Sequence, residues 1–577
     1  MSKDKYQLKQ VDGTWWKKNI TCLDKCPVNT NVPVYISLIA EGKFQEAFEL
    51  NREVNVFPAI LGRVCMHTCE QACRRSLVDD PVAICSLKRA AADHKIDGVV
   101  AALSGRSGMT KSLAIVGAGP AGLTIADDLV RIGCRVTVFE ALPVPGGMLY
   151  VGIPPYRLER RVIREAVEEL VKNGVEIRYN TPVGQAITVA ELQEDYDAVV
   201  IAAGAHDPIE LNIPGEKLNG VIHGVTYMRK INLNQQMPSS RKVAVIGGGN
   251  TAIDCARSAR FLGAEEVTII YRRTRNEMPV TAEEIAEAEE EGVNVDLLVS
   301  PVRIIGDSDG NVVGLECIRN KLGGSDAGGR ARPVPIEGSE FILVVDTILP
   351  AVSQSPDVSF LSNVFSRSKW DTVEVDPENY MTNVAGVFAV GDYVTGPSDV
   401  ISVIADGHLA AASIHNYFQG NTIKKQIGNS IKTALLPHKQ GGNYDALPRQ
   451  KVPLLAVEER EDMNLEVSLG FSAETAMIEA QRCLRCDYNI TISSDQCILC
   501  AGCVDVCPCG CIQMINLDQI ETDKEIVDLT QVTPGAALIM AEELCIRCGL
   551  CVYRCPTEAI GMEQFEFLSS SFVNTGK

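Results

Sequence analysis

The chain has 577 residues, 46% of them hydrophobic and 22% charged, which is enough material for several globular domains. Its formal net charge of −20 argues against binding to nucleic acid and to anionic membrane surfaces. The sequence has no uncharged apolar run of about 18 residues or more, so we expect no membrane span.

The N-terminal part of the chain is predicted to form an extended arm over residues 1–20 and a helical domain over residues 21–109. The arm lacks the apolar segment of a secretory signal. The whole chain has 21 cysteines, which in a protein of this size predicts ligands and free thiols in a reducing compartment, the cytoplasm. Several cysteines of the helical domain are spaced C-x-x-x-C, which alone defines no ligand set. The cysteines of this domain are Cys22, Cys26, Cys65, Cys69, Cys73 and Cys85.

The next segment has the βαβ pattern of a dinucleotide-binding domain, in which an apolar strand leads into a glycine-rich turn and an amphipathic helix. Gly117, Gly119 and Gly122 have G-x-G-x-x-G spacing. Their expected roles are a tight turn, close approach of a pyrophosphate and close helix–strand packing. The pyrophosphate is expected at the helix N-terminus. Glu140 ends the second strand, where an acid can accept hydrogen bonds from ribose hydroxyls.

A second βαβ pattern follows, with Gly247, Gly249 and Ala252 at the three small positions. Its second strand ends in basic residues instead of an acid. Guanidinium groups bind a 2′-phosphate, so this turn favours NADP(H), whereas the first turn favours FAD. The alternative is a solvated basic turn. The basic residues are Arg272, Arg273 and Arg275.

Six stretches of the chain resemble the small subunit of glutamate synthase and its relatives, and the resemblance extends over roughly residues 20–420. In that family the second nucleotide domain is inserted into the first. The resemblance therefore implies an FAD domain over residues 110–237 and 345–420, and an NADP(H) domain over residues 238–344. The matching stretches are VGAGPAGL (116–123), PGGMLYVGIPPYRL (145–158), VVIAAGA (199–205), VIGGGNTAIDCAR (245–257), VTIIYRRTRNEMP (267–279) and GVFAVGDYVTGPSDVISVIADGHLAA (386–411).

The resemblance also implies which residues contact the nucleotides. Gly146, Gly147 and Leu149 would lie along the flavin, and Asp392 would form a hydrogen bond with its ribityl chain. Without the resemblance, Asp392 would be an ordinary residue in a turn after a strand. The other residues that it assigns to the two nucleotide sites are Pro120, Ala121, Gly204, Gly391, Asn250 and Thr251.

The same family, like dihydropyrimidine dehydrogenase, has two 4Fe–4S clusters in its helical N-terminal domain. The family pattern begins with a C-x-x-C pair upstream of C-x-x-x-C-P, and this chain lacks that pair. A similar pair, Cys483 and Cys486, lies in the connector over residues 421–487, and we expect it to fold back. The alternative is a single N-terminal cluster, with Cys483 and Cys486 spare. The expected ligands are Cys22, Cys73, Cys483 and Cys486 for one cluster, and Cys26, Cys65, Cys69 and the candidate Cys85 for the other.

The C-terminal region, residues 488–577, contains two cysteine runs that each read C-x-x-C-x-x-C-x-x-x-C-P. This is the spacing of bacterial two-cluster ferredoxins, in which the fourth cysteine of each run binds the other cluster. The alternatives are two zinc ribbons or a disulfide framework. Zinc ribbons, however, use pairs of C-x-x-C without the fourth cysteine before proline. Cys509 and Cys511 fit no ligand spacing. The expected ligand sets are Cys497, Cys500, Cys503 and Cys555, and Cys545, Cys548, Cys551 and Cys507.

The expected fold is therefore multidomain α/β. It combines a helical N-terminal iron–sulfur domain, two nested Rossmann-like nucleotide-binding domains and a C-terminal α+β ferredoxin-like domain. NADPH delivers two electrons as hydride, whereas an iron–sulfur cluster accepts one at a time. A flavin can exchange electrons with both. The sequence thus predicts an NADP(H)-linked FAD and iron–sulfur oxidoreductase, in which no acid–base catalytic residue is required.

The expected partner of this oxidoreductase is ferredoxin or another redox subunit of a complex. The ferredoxin domain resembles iron–sulfur flavoprotein subunits of anaerobic complexes, including electron-bifurcating ones, so bifurcation at the FAD belongs to this hypothesis. One alternative is a glutamate-synthase-like subunit that supplies NADPH electrons to a synthase. Another is an iron–sulfur scaffold whose flavin sites have decayed. The intact glycines, Glu140 and the Arg272–Arg273 pair argue against the scaffold.

Overall fold

The computed structural model describes residues 6–7, 13–96, 110–325, 329–421, 429–434, 444–460, 462–521 and 535–569. The chain divides into two compact units, which we call the cysteine-rich unit and the Rossmann unit. The cysteine-rich unit consists of residues 1–101, 426–452 and 470–577, and the Rossmann unit of residues 102–425 and 453–469. Both units are therefore assembled from segments that are distant in sequence.

The first sheet of the Rossmann unit has five strands, and each neighbouring pair is parallel. Its central strands are apolar and buried, as expected for a parallel sheet with both faces covered. One edge strand comes from the segment that follows the inserted domain, so a distant part of the chain completes the sheet at that edge. The strands, in spatial order, are Val387–Ala389, Ala198–Ile201, Ser112–Val116, Arg135–Phe139 and Glu176–Arg178.

The inserted domain has a parallel sheet and an antiparallel sheet. The parallel strands, in spatial order, are Thr347–Pro350, Lys242–Ile246, Glu266–Tyr271 and Val293–Leu297. The antiparallel sheet consists of Val299–Gly306, Val312–Ser325, Ala331–Pro335 and Phe341–Leu343.

The borders of the inserted domain differ from the predicted ones. The chain crosses between the two domains at Asp207–Pro208 and Gln354–Ser355, which pair as short antiparallel strands. Helix Gly224–Asn232 packs into the core of the inserted domain, although the prediction assigned it to the FAD domain. Strand Thr347–Pro350 pairs with a strand of the inserted domain, so the predicted return at residue 345 is several residues too early. Strand pairing, which local composition does not reveal, joins these elements to the inserted domain.

The helices of the Rossmann unit cover the faces of its sheets. The longest, Val400–Phe418, packs against the helix that follows the first glycine-rich turn. Among the described residues, no helix combines the length and apolar character that a membrane crossing requires. The helices are Pro120–Arg131, Met148–Val151, Arg160–Lys172, Val189–Asp195, Gly224–Asn232, Asn250–Phe261, Ala282–Glu290, Asp392–Thr395 and Val400–Phe418.

The cysteine-rich unit begins with a set of short helices, as predicted for residues 21–109. Helix Ala473–Ala480 joins them from the connector. Its first turn is capped by the Ser472 hydroxyl, which accepts a hydrogen bond of 3.2 Å from the backbone N–H of Thr475. Its buried side chains share one apolar core with the N-terminal helices. The N-terminal helices are Gly13–Asn19, Thr21–Asp24, Val32–Ala40, Phe44–Arg52, Pro58–Val64, Thr68–Gln71 and Ile84–Asp93.

The C-terminal part of this unit contains a three-stranded antiparallel sheet with Asn429–Ala434, Ile560–Ser569 and Tyr488–Ile492 in spatial order. Strand Asn429–Ala434 lies in the connector, whose sequence has no clear strand pattern. The pairing partner lies more than a hundred residues away, so no local pattern indicates it. A second pair, Ile512–Asn516 with Ala536–Met540, and the short helices Gly502–Asp505 and Leu550–Arg554 complete this part.

The N-terminal arm is more ordered than an extended segment. Residues 13–19 form a helix, and Tyr6–Gln7 pair with Ile520–Glu521 as parallel strands. The ring of Trp16 packs at 4.4 Å from the ring of Phe565, which lies in the C-terminal strand. The arm therefore ties the N-terminal helices to the ferredoxin-like region, because Phe565 also belongs to their shared core.

Candidate nucleotide and iron–sulfur sites

The first glycine-rich turn precedes helix Pro120–Arg131. Gly117 has a φ of +105°, and a Cβ added to it would lie 2.5 Å from the carbonyl oxygen of Ala202. A Cβ on Gly122 would lie 2.2 Å from the oxygen of Gly117, whereas a Cβ on Gly119 would meet no atom within 4 Å. The turn is thus tight where the chain packs and open at the helix N-terminus, which is the shape that a pyrophosphate requires.

Glu140 lies at the end of the second strand, directly behind this turn. Its carboxylate accepts hydrogen bonds of 2.8 Å from the backbone N–H groups of Ala118 and Leu142. Burial raises the pKa of the Glu140 carboxyl group, and the backbone donors partly offset this rise. The Glu140 carboxylate therefore holds the backbone of the turn in place. Its contact with a ribose stays a prediction.

Gly146 and Gly147 meet the same turn from a later part of the chain. The Gly146 N–H donates a hydrogen bond of 2.7 Å to the carbonyl oxygen of Ala118. A Cβ added to Gly147 would lie only 3.1 Å from the Cα of Gly119. Leu149 is buried nearby in the short helix that follows. The three residues that the resemblance assigned to the flavin thus lie beside the proposed pyrophosphate site.

Gly391 and Asp392 reach the start of the same helix from the returning segment. A Cβ added to Gly391 would lie 3.1 Å from the Cβ of Ala121. Asp392 accepts hydrogen bonds from the N–H of Ser398 at 3.0 Å and from its hydroxyl at 2.8 Å. Burial raises the pKa of Asp392 to about 6. Gly204, with a φ of +71°, follows the neighbouring strand.

The second glycine-rich turn, like the first, is closely packed at its first glycine and open at the helix N-terminus. Gly247 has a φ of +151°, and an added Cβ would lie 2.3 Å from the oxygen of Ala351. At Gly249 the nearest atom to an added Cβ is 3.9 Å away. Helix Asn250–Phe261 starts there, with Thr251 in its first turn. This geometry fits a second dinucleotide.

The three arginines of the second domain differ in their surroundings. Arg272 is exposed. Arg273 is only 4% exposed, and its Nε donates a hydrogen bond of 2.8 Å to the carbonyl oxygen of Ala331. Arg275 forms an ion pair with Glu289. Binding of a 2′-phosphate stays a prediction for all three, and we expect Arg272 to contribute most because its guanidinium group faces solvent.

The first group of thiols joins Cys22 and Cys73 with the connector residues Cys483 and Cys486. Burial raises the pKa of Cys22 well above its usual value, and the thiols of Cys486, Cys73 and Cys483 raise it further. Burial also raises the pKa of Cys73, to about 11. Buried thiolates this close repel each other unless a cation neutralises them, as iron does in a cluster. The grouping fits the predicted cluster, although ligation itself stays a prediction.

The second group of thiols surrounds a buried lysine that sequence analysis missed. The thiols of Cys65 and Cys69 lie close enough to Cys85 to raise its pKa, and burial raises it further. Burial acts to lower the pKa of Lys88, but the thiols of Cys26, Cys65, Cys85 and Cys69 outweigh it and hold that pKa above its usual value. An ammonium group at this position suits an anionic iron–sulfur cluster. Only the position of Lys88 one helical turn after Cys85 could have indicated it.

Two further polar side chains approach Cys85. Single ligand atoms of His67, Glu70 and Cys85 lie within 4.8 Å of one another. The Glu70 carboxylate, however, accepts a hydrogen bond of 2.9 Å from the backbone N–H of Cys85 and another of 2.9 Å from Arg449. We therefore interpret Glu70 as a residue that positions the Cys85 segment.

The first ferredoxin-like run brings Cys497, Cys500 and Cys503 together. Burial raises the pKa of Cys503, and the thiols of Cys497 and Cys500 raise it further. Cys555 directly follows helix Leu550–Arg554, which packs against the helix that contains Cys503. The role of Cys555 as the fourth ligand of this cluster stays a prediction.

The second ferredoxin-like site is a cavity that six cysteines line. Burial raises the pKa of Cys551 to about 12, and the thiols of Cys545 and Cys548 contribute to this rise. Four of the six are the ligands that the spacing predicts, and the other two, Cys509 and Cys511, fit no ligand spacing. The six are Cys507, Cys509, Cys511, Cys545, Cys548 and Cys551.

Two buried arginines that sequence analysis missed lie between the connector thiols and this cavity. Arg74 donates a hydrogen bond of 3.4 Å to the carbonyl oxygen of Cys545. Arg547 is fully buried, and its Nε donates a hydrogen bond of 2.7 Å to the carbonyl oxygen of Tyr488. Burial raises the pKa of Cys486, and the guanidinium groups of Arg74 and Arg547 lower it in part. One pair of cations thus faces both cysteine groups.

A comparison with known families agrees with this arrangement. The model of the pyridine nucleotide-disulphide oxidoreductase family matches residues 111–410, more than half of the chain. The chain belongs to this family. Two further models match outside that range. One is described as dihydropyrimidine dehydrogenase domain II, 4Fe-4S cluster, and matches residues 16–99. The other is described as a 4Fe-4S dicluster domain and matches residues 496–559.

Curated relatives of this pyridine nucleotide-disulphide oxidoreductase are named as parts of NADP(H)-linked enzymes. The NADP(+)-dependent formate dehydrogenase subunit beta of Moorella thermoacetica is 41% identical over 513 residues, which cover 82% of this chain and 72% of the relative. The NADPH-Fe(3+) oxidoreductase subunit beta of Geobacter sulfurreducens is 37% identical over 514 residues, which cover 83% of this chain and 76% of the relative. The glutamate synthase [NADPH] small chain of Azospirillum brasilense is 36% identical over 417 residues, which cover 69% of this chain and 86% of the relative.

These matches confirm the predicted resemblance, the multidomain α/β fold class and the class of protein. This pyridine nucleotide-disulphide oxidoreductase is an NADP(H)-dependent flavin and iron–sulfur enzyme, and the predicted cofactors FAD, NADP(H) and 4Fe–4S clusters are confirmed. The individual ligand residues and the number of N-terminal clusters stay predictions. So do the partner, the bifurcating flavin and the location in the cytoplasm.

Proposed function

We propose that this chain is the electron-transferring subunit of a larger complex. It passes electrons between NADP(H) and a partner, through FAD, two N-terminal clusters and two ferredoxin-type clusters. The observation that carries the proposal is the pair of buried cations, Arg74 and Arg547, that lies beside both Cys486 and Cys545. Cys486 and Cys548, one from each side, share one apolar core, which also contains Cys22. This continuity supports direct electron transfer between the two sites.

The residues of the chain bind and orient the cofactors. The bound flavin supplies the exchange between two-electron and one-electron transfer. The open turn at Gly119 receives the flavin pyrophosphate at the helix N-terminus, and Asp392 accepts a hydrogen bond from the ribityl chain. The turn at Gly249 receives NADP(H), and Arg272 selects its 2′-phosphate. Buried thiols, Cys22 and Cys486 among them, would hold the N-terminal clusters away from water.

The proposed partner is a separate redox or catalytic subunit. The relatives from Moorella, Geobacter and Azospirillum are named as a subunit or a small chain of oxidoreductases, so partnership with another chain is a shared feature of their names. The dicluster domain is the proposed contact region, because a protein that exchanges electrons needs its terminal clusters near the partner. Ferredoxin and a hydrogenase-like or dehydrogenase-like subunit are both candidates.

The second candidate function is to supply NADPH electrons to a glutamate-synthase-like large subunit. The similarity to the Azospirillum small chain favours it, but that similarity covers only 69% of this chain. The relatives from Moorella and Geobacter cover 82% and 83%. We therefore favour the partner of the first proposal.

An anaerobic titration of the cluster-replete protein with NADPH tests the proposal. Flavin absorbance and cluster EPR are recorded at each step, and reduction with dithionite gives the total signal of the reducible clusters. We expect flavin bleaching together with EPR signals of reduced clusters. Bleached flavin with silent clusters would contradict simple downhill transfer and would favour bifurcation or the reverse flow. Unbleached flavin would contradict NADPH as the donor.

A further inference from the structure

The cavity of the second ferredoxin-like site has more thiols than a 4Fe–4S cluster needs. Such a cluster uses four cysteine ligands, and the spacing assigns Cys545, Cys548, Cys551 and Cys507. Cys511 lines the same cavity and is only 2% exposed. A fifth buried thiol at a cluster site is a candidate ligand, because burial next to the cluster keeps it away from other metals and oxidants.

Cys511 is in direct contact with one of the expected ligands. Its Sγ lies 3.3 Å from the Sγ of Cys507, and its backbone N–H donates a hydrogen bond of 3.3 Å to the same sulfur. Cys545, an expected ligand from the second cysteine run, lines the same cavity. Cys511 therefore contacts one expected ligand and shares a cavity with another.

The distance between the two sulfurs is small enough for an exchange. Turning a cysteine side chain from one staggered rotamer to the next moves its sulfur by a comparable distance. Both residues belong to the same short loop, Cys507 to Cys511, so a small adjustment of that loop brings either sulfur to one iron. Strand Ile512–Asn516 begins directly afterwards and holds the end of the loop.

We propose that Cys511 is a reserve ligand of this cluster, whose sulfur can bind iron in place of the Cys507 sulfur. In the exchange, the bond between iron and the Cys507 sulfur breaks and a bond between the same iron and the Cys511 sulfur forms. The proton of the Cys511 thiol moves to the released Cys507 sulfur along their 3.3 Å contact. Charge and oxidation state stay balanced. The inference rests on the proposed assignment of this site as a cluster held by Cys545, Cys548 and Cys551.

The test uses the full chain, reconstituted with iron and sulfide, in four variants: Cys507→Ala, Cys511→Ala, the double variant, and Cys509→Ala as the matched control from the same cavity. Iron content and cluster EPR are measured, and the flavin absorbance reports folding. We expect each single variant to retain its iron and the double variant to lose about four iron atoms per chain. The Cys507→Ala EPR spectrum should differ from that of the wild type, because the ligand sulfur has changed.

Two results would overturn the reserve role. One is that Cys507→Ala loses as much iron as the double variant, and the other is that Cys511→Ala alone loses the cluster. If Cys507→Ala does not accumulate, Cys507→Val, whose side chain fills more of the space and offers no ligand atom, replaces it. Added thiol distinguishes an open iron position from a filled one, since it changes the Cys507→Ala spectrum only if Cys511 does not bind. Cys548→Ala tests the underlying assignment, because unchanged iron there would mean that the cluster itself is assigned wrongly.

Discussion

Arg74 donates a hydrogen bond of 3.4 Å to the carbonyl oxygen of Cys545, although the two residues are separated by most of the chain. Its other terminal nitrogen donates to Asn19 at 3.2 Å. Arg74 is 6% exposed, so its charge acts in a poorly screened environment. A buried cation next to the two proposed anionic clusters would stabilise their reduced, more negative forms.

The first prediction follows from that charge. Arg74→Gln should lower the midpoint potential of the neighbouring clusters by about 60 mV, the equivalent of a tenfold change in a one-electron equilibrium. Arg74→Lys keeps the charge and should shift the potential much less. Redox titrations followed by EPR measure both. Equal shifts in the two variants would mean that the hydrogen bonds matter and the charge does not.

The second prediction concerns the displaced cysteine pair. Replacing Cys483 and Cys486 with Ala should lower the iron content by about four atoms per chain, because their thiols lie with Cys22 and Cys73. The matched control replaces Cys134 and Cys317, which are buried in the Rossmann unit, and should leave iron unchanged. Unchanged iron in the first variant would favour a single N-terminal cluster.

The third prediction concerns nucleotide choice. Arg272→Ala should raise the Michaelis constant for NADPH roughly ten- to hundredfold, as expected for a lost charge-assisted hydrogen bond, and should hardly change that for NADH. Arg275→Ala should have a smaller effect, since Arg275 is paired with Glu289. Arg241, an exposed arginine of the same domain paired with Glu265, provides the control. An equal effect of Arg272→Ala on both nucleotides would exclude a phosphate contact.

The fourth prediction is a pH dependence of flavin binding. In the flavin-free protein, burial raises the pKa of Asp392 to about 6. Hydroxyl donors from the ribityl chain favour the carboxylate, so flavin binding lowers this pKa. Flavin affinity should therefore rise about tenfold between about pH 5 and pH 7 and then level off. Asp392→Asn should remove this dependence. Flavin dissociation constants across this range measure it, and an identical pH profile in the variant would contradict the role of Asp392.

Local sequence patterns were sufficient for much of this protein. The glycine spacing at Gly117 and Gly247 predicted two nucleotide-binding turns because such turns depend on residues close in sequence. The cysteine runs predicted a dicluster domain for the same reason, and the family comparison confirmed it. Asp392 was found only through the resemblance, since nothing in its local sequence marks it.

Other features depended on the tertiary structure, because they join residues that are far apart in the chain. The border of the inserted domain is decided by pairing between Asp207–Pro208 and Gln354–Ser355. Arg74 and Arg547 have no sequence pattern that distinguishes them from surface cations, and Lys88 has only its position one helical turn after Cys85. Burial near thiols gives all three a role. Composition and spacing thus determined which cofactors this chain binds, whereas long-range packing decided which cations and thiols surround them.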